Sequence, residues 1–299
     1  MYRHFWGMRH RPFTQTHEPG RFVPVASAML ALTKLRYAVS SGLGACALCG
    51  PAGVGKTELA RVVLRDYAAS GWGTAYLPSF AGGRDELFGM LLHAFDGRMG
   101  EALSPLEALA ARLREVAAAG GKLLAVVDEA QTLRDAGVLD DLRMLLNVEH
   151  DGRPALNVLL CGQPEMRGAL AEAGRFDSRL ALEVELHPYD VAETETYMLQ
   201  RLKDAGCARG IFTRKAAEVV AKVSGGNPGD INRLCELSLI MAFATRQHKI
   251  KPEIVSAAAR DLRLPEDEYR ARIYDEVWSG SVAGAEDFAA PEEDILAGV

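Results

Sequence analysis

The sequence predicts an α/β fold: a parallel β-sheet with helices on both faces, followed by a small domain built only of helices. Three observations carry this. Short apolar runs alternate with helical patterns through the first two thirds of the chain, most of those runs are apolar on both faces, and after Pro188 the runs stop while helical patterns continue. Such alternation marks βαβ units, whose strands lie buried between helices and so lack the apolar–polar alternation of a half-exposed strand.

Taken in order, residues 1–26 open with "MYRHFWGMRHRPF", a basic and aromatic segment. Residues 27–188 form the α/β domain. Its strands are expected at "ACALC" (45–49), "TAYLP" (74–78), "LLAVV" (123–127), "ALNVLLC" (155–161) and "ALEVEL" (181–186), with helices such as "ELARVVLRDYAA" and "PLEALAARLREVAAA" between them. Residues 189–264 form the helical domain, with "DVAETETYMLQRLKDAG", "TRKAAEVVAKVSGG", "DINRLCELSLIMAFATRQ" and "KPEIVSAAARDLR" each carrying a polar N-cap candidate and a nearby Gly or Pro. Residues 265–299 are expected to be partly disordered, with "DEYRARIYDEVW" able to form one short helix.

At 299 residues the chain is long enough for one large domain and a smaller companion, and 48% hydrophobic with 25% charged residues is the composition of a globular protein. No run of 18 apolar residues exists, so no bilayer span or direct membrane insertion is expected. The basic N-terminus has no apolar stretch behind it, and a cytoplasmic location is the expectation. The net charge of −6 is concentrated in the tail, where ten acidic residues from Glu266 onward face only Arg270 and Arg272. The other 265 residues balance at +2, which neither requires nor excludes DNA as a partner. Five cysteines, an odd number in apolar segments, read as reduced buried thiols; the spacing of Cys46 and Cys49 sends them to opposite faces of a strand, against a metal or redox pair.

The motif that carries chemistry is "GPAGVGKT", the G-x-x-x-x-G-K-[ST] pattern between an apolar strand and a helix. Gly50, Pro51, Ala52, Gly53, Val54 and Gly55 would wrap main-chain N–H groups around phosphates, with Lys56, Thr57 and Glu58 opening the helix behind them. Lys56 would reach the terminal phosphates and Thr57 would ligate Mg²⁺. Downstream, "LLAVVDEAQ" ends a buried strand in two carboxylates. Asp128 suits the metal shell, directly or through water, and Glu129 suits a general base or water-positioning group. Together the two motifs point to hydrolysis of a nucleotide triphosphate. Gln163, just past the strand in "LLCGQPEM", stands where a polar residue can sense a terminal phosphate, or simply where a strand exits to solvent. Arg175 and Arg179 in "GRFDSRLALEVEL" read equally as a surface pair or as an arginine presented to a neighbouring subunit.

The order of cradle, "VVDEAQ", "GQPE", paired arginines and an all-helical piece resembles an AAA+ ATPase. More narrowly, the opening "MYRHFWGMRHRPF" with "DEAQTL", "LRMLLNVE", "LLCGQPEM", "HPYDVAETETYMLQRLKDAG" and "NPGDINRLCELSLIMA" is similar to the GspA/ExeA family of general-secretion ATPases. The TniB, TnsC and MuB proteins of transposition are relatives, and the likeness covers residues 1 to about 264. The resemblance implies ATP as the nucleotide, a five-stranded parallel sheet with the catalytic strand between the cradle strand and its neighbour, and a helical lid. It makes Gln163 the first sensor and Arg179 the finger, with Arg175 second, and implies head-to-tail self-association into rings or filaments. In one departure, Gly229 occupies the place of a second sensor arginine; Arg233, one helical turn later, either takes over that contact or is a surface residue. In another, the relatives continue into a membrane helix and a cell-wall-binding domain where this chain has the acidic tail, so an envelope machine would be reached through a partner.

The leading functional expectation is a Mg²⁺-dependent ATPase that assembles or remodels a protein partner in a secretion or envelope export system. The alternatives are a transposition regulator that coats DNA and recruits a transposase, and a nucleotide-gated scaffold without hydrolysis. Glu129 argues against the last, since a scaffold has no use for a base beside the metal.

Overall fold

The computed structural model describes residues 2–14, 22–80, 82–99, 103–133, 136–150, 152–172, 179–207 and 210–264. The expectations for Arg175 and for the tail 265–299 concern residues outside these. In chain order the helices are α1 (Tyr2–Phe5), α2 (Ala26–Ser40), α3 (Lys56–Ala69), α4 (Arg84–Ala94), α5 (Pro105–Ala118), α6 (Ala136–Leu145), α7 (Met166–Glu172), α8 (Val191–Asp204), α9 (Arg214–Ser224), α10 (Pro228–Ala244) and α11 (Pro252–Asp261). The strands are β1 (Ala45–Cys49), β2 (Gly73–Leu77), β3 (Leu123–Val127), β4 (Glu149–His150), β5 (Arg153–Pro154), β6 (Leu156–Gly162) and β7 (Leu180–Glu185). The chain divides into two compact units, Ser27–His187 and a second one that joins Met1–Ala26 to Pro188–Val299.

In the first unit five strands form one parallel sheet in the order β2-β3-β6-β1-β7, while β4 and β5 make a short separate hairpin. The acid-bearing strand β3 is not the direct neighbour of the cradle strand β1: β6 lies between them, pairing Cys49 with Gly162 on one side and Val127 with Leu160 on the other. β1, β3 and β6 are buried along their whole length, which is why they read as continuous apolar runs. One face of the sheet, with Ala47, Ala75, Ala125, Val127, Val158 and Leu160, packs on Phe88, Leu91, Leu109, Leu113 and Leu142 from α4, α5 and α6. Helix α3 buries Leu59, Ala60, Val62 and Val63. Helix α5 starts in a capping box, the Ser104 hydroxyl accepting from Glu107 N–H and the Glu107 carboxylate accepting from Ser104 N–H, with Pro105 in the first turn.

The second unit holds α8–α11, capped at α8 by Asp190, at α9 by Thr213 and at α10 by Asn227. Its unexpected component is the N-terminal segment. Tyr2, Trp6, Met8 and Phe13 are buried within this helical unit. The Tyr2 hydroxyl donates to Glu236 Oε2 at 2.7 Å, the Trp6 indole donates to His248 O at 3.3 Å, and Phe5 stacks on the His248 ring at 4.2 Å. Buried Arg201 of α8 donates from Nε to Pro12 O at 2.7 Å and from Nη2 to Thr14 O at 3.0 Å. Two exposed basic residues of the segment also bond to this unit at its surface: Arg9 donates to Asp204 O, and Arg11 stands 3.7 Å from Glu236. No helix among the described residues is long and apolar enough to cross a membrane.

Candidate active site

β1 ends at Cys49, the cradle runs from Gly50 to Gly55, and α3 begins at Lys56. Gly55 stands at the N-cap with φ 104° and has no side chain to cap the helix, so α3 presents its N-terminal main chain at the cradle. Gly50 passes so close to the next strand's exit that a Cβ there would lie 2.4 Å from Leu186 O. Lys56 is 6% exposed, and its Nζ donates to Gly50 O at 2.8 Å and Pro51 O at 2.9 Å, curling the ammonium over the loop. Burial lowers its pKa, opposed in part by the charges of Glu129 and Asp128.

Asp128 follows β3 and is 2% exposed. Three donors hold it: Thr57 Oγ1 gives to Oδ2 at 2.6 Å, the Tyr76 hydroxyl gives to Oδ2 at 2.9 Å, and Glu129 N–H gives to Oδ1 at 3.0 Å. The Thr57 hydroxyl and the Asp128 carboxylate, which arise 71 residues apart, thus meet at the mouth of the cradle. Hard oxygen donors of this kind suit Mg²⁺, which takes few protein ligands and fills its shell with water and phosphate. Burial, then the nearby Asp128 charge, pushes the Tyr76 hydroxyl up to about 12, so it stays a proton donor to Asp128 through the neutral range.

Glu129 has φ 53° and ψ 39°, the left-handed region, which costs a non-glycine residue on the order of 1 kcal/mol. Hydrogen bonds hold it there. Its carbonyl accepts from Thr132 N–H at 2.9 Å, and the single proton of the Thr132 hydroxyl is shared between that carbonyl at 2.9 Å and Phe80 O at 2.6 Å. The Glu129 carboxylate accepts from Gln131 Nε2. Gln163 follows β6, and its main-chain N–H donates to Gln131 Oε1 at 3.1 Å.

The structure therefore gathers Lys56, Thr57, Asp128, Glu129 and Gln163 at the C-terminal ends of β1, β3 and β6. Arg179 is elsewhere. It is exposed and immediately precedes β7, whose six residues span roughly 20 Å, so it sits at the opposite end of the sheet from the cradle. Arg233 lies in the helical unit, where it donates to Asp230 Oδ1 at 3.2 Å. Sequence reading missed Tyr76, Gln131 and Thr132. Tyr76 was hidden in an apolar strand, and Gln131 and Thr132 stood in "DEAQT" with no spacing rule to assign them.

Cys46 and Cys49 are buried thiols pushed up to about 12 and about 11 by burial, which removes a thiolate chemistry from "CALC".

A phosphate cradle between strand and helix, an acid pair after a second strand and a polar residue after the strand between them give the first unit the arrangement of a P-loop nucleotide-binding domain of AAA+ type. Residues 39–170 match the family described as AAA domain. The chain is similar to General secretion pathway protein A of Aeromonas hydrophila, 32% identical over 274 residues that make up 90% of this chain and 50% of that one. The matched stretch, residues 39–170, holds the cradle, Asp128, Glu129 and Gln163, so the comparison places an AAA domain in this part of the chain. The chain spans about half the length of this curated relative. Among solved structures it resembles the Aeropyrum pernix ORC2 protein in ADPNP–ADP complexes, with TM-score 0.63 and 20% identity over 84% of this chain and 71% of that one. It also resembles the Aeropyrum pernix ORC1 protein in complex with DNA, with TM-score 0.63 and 18% identity over 94% and 84% of the two chains. At these identities the likeness is one of fold.

Proposed function

We propose that this chain binds ATP with Mg²⁺, hydrolyses it, and uses the cycle to assemble or remodel a protein partner in a secretion or envelope export system. The observation that carries the reading is the meeting of Thr57 and Asp128 beside the cradle, with Glu129 one residue on. Thr57 and Asp128 would hold Mg²⁺, which when bound would supply positive charge to offset that of the phosphates. The chain's own residues do the rest. The main chain from Gly50 to Glu58 wraps the phosphates, Lys56 neutralises them, Thr57 and Asp128 hold the metal, Glu129 orients and deprotonates water, and Gln163 faces the terminal phosphate. Arg179, a strand's length from its own cradle, serves the site of a neighbouring subunit in a head-to-tail assembly. The similarity to a secretion protein over 90% of this chain supports the choice of partner.

The test is turnover and assembly under control of the metal. Phosphate release is expected to stop in EDTA and return with added Mg²⁺, and sedimentation is expected to shift to larger species with ATP and Mg²⁺ together. Release that persists in EDTA would remove the metal from the reading, and a sedimentation coefficient indifferent to ATP would remove the assembly.

Tyr76 gives a finer check. It supports a proposed metal ligand from behind, and such partners typically contribute about 10–100-fold to metal affinity. Tyr76→Phe is expected to raise the half-saturating Mg²⁺ concentration about tenfold; an unchanged requirement would leave the hydroxyl a packing role alone.

A further inference from the structure

We propose that Gln131 is the positioning residue for the Glu129 carboxylate, tying it to the loop that leaves β6 so that the placement of that loop sets the rate of hydrolysis. The proposal rests on the reading of Glu129 as the group that directs the attacking water.

The orientation of the Gln131 amide follows from its neighbours. At one end stands the main-chain N–H of Gln163, which can only donate, so the amide atom facing it is oxygen. At the other end stands Glu129 Oε2, which accepts from the amide nitrogen. Reversing the amide would set N–H against N–H and oxygen against oxygen. Both ends thus select one rotamer, and the side chain forms a rigid strut between the ends of β3 and β6.

A second observation points the same way. A Cβ at Gly162 would lie 2.9 Å from Gln131 Oε1, 2.7 Å from Met166 Sδ and 3.1 Å from Met166 Cβ. A bare glycine at the end of β6 is what lets the amide come within reach of the Gln163 N–H. The main chain of Glu129 is already clamped by Thr132, which leaves its side-chain torsions as the freedom that Gln131 removes. Beyond Gln163 the chain turns at once into α7, with Met166 N–H donating to Gln163 O at 2.9 Å, and α7 is fastened to β7 by Arg167 through Glu183 and Glu185. A shift of this loop, whether from phosphate at Gln163 or from a neighbour at the β7 side, moves the acceptor end of Gln131 and with it the carboxylate.

The experiment uses the full chain with two substitutions. Gln131→Met keeps the length and removes both hydrogen bonds. Gln131→Glu keeps the acceptor for Gln163 and sets a like charge against Glu129. Both are expected to lower kcat by about 10–100-fold with KM within about twofold of wild type, the effect of a misplaced group that ground-state binding does not use. Hydrogen exchange at the Gln163 amide supplies a readout free of turnover: faster in Gln131→Met, unchanged in Gln131→Glu. If both variants keep kcat within twofold of wild type while Glu129→Gln abolishes it, the strut is overturned and the hydrolytic reading stands. If wild type itself shows no turnover beyond that of Glu129→Gln, the hydrolytic reading falls and the strut's role falls with it. A rise in KM with kcat within twofold of wild type, and unchanged exchange at Gln163, would also overturn the proposal, since it would mark Gln131 as support for nucleotide binding.

Discussion

Glu129→Gln is expected to bind ATP with a Kd within about threefold of wild type and to lose turnover by roughly 10²–10⁴-fold, the range a positioned acid–base group supplies. The substitution changes one oxygen to a nitrogen in a side chain of the same shape. The contacts made by Lys56, Thr57 and Asp128 do not pass through that atom, so the cradle and the Thr57–Asp128 pair keep their geometry. The main-chain clamp on residue 129 also survives, because Thr132 bonds its carbonyl. What is lost is the charge that would draw a proton from water. The pairing of a fluorescent-nucleotide titration with single-turnover phosphate release reads both halves of this expectation. Turnover within tenfold of wild type would show that water is activated by something else, and loss of binding alongside turnover would show that the acid supports the cradle and not the chemistry.

The other large effect is one of stability. Arg201→Met is expected to destabilise the helical unit by roughly 3 kcal/mol or more, because hydrogen bonds from a charged donor contribute about 1.5–3 kcal/mol each and the carbonyls they leave unpaired are costly to bury. Arg201 is 6% exposed and donates to Pro12 O and Thr14 O, with its guanidinium 5.8 Å from the centre of the Tyr197 ring. Methionine fills a similar volume and supplies no donor. Loosening this anchor frees the strap that buries Trp6, Met8 and Phe13, so limited proteolysis near residues 8–14 should quicken as the melting temperature of the unit falls. A variant that melts with wild type and resists protease equally would mean that the apolar side chains alone hold the segment down.

The five sheet strands were legible because each is an apolar run of five to seven residues bounded by turn residues, and their observed limits lie within a residue of those expected. The small shifts at β2 and β6 come from pairing: Gly73 N–H donates to Lys122 O at the head of β2, and Cys49 pairs with Gly162 at the foot of β6. The cradle was legible for a similar reason, since Gly50–Thr57 is contiguous and its function lies mostly in main-chain geometry. Tyr76 was illegible, because an aromatic residue in a buried strand is ordinarily core, and only the neighbouring strand brings its hydroxyl 2.9 Å from Asp128.

What the sequence determined by itself was everything encoded by short-range pattern: the alternation of strand and helix, the glycine-rich cradle, the acid pair and the helical caps at Asp190 and Thr213. Tertiary structure alone decided three things. It set β6 between the cradle strand and the acid strand, it joined Gln131 to both Glu129 and Gln163, and it packed the first residues of the chain onto helices nearly 200 positions away. The physical reason is common to all three. Hydrogen bonds and burial act on distance in space, and a chain that folds back on itself brings together groups whose separation along the backbone carries no trace of the contact.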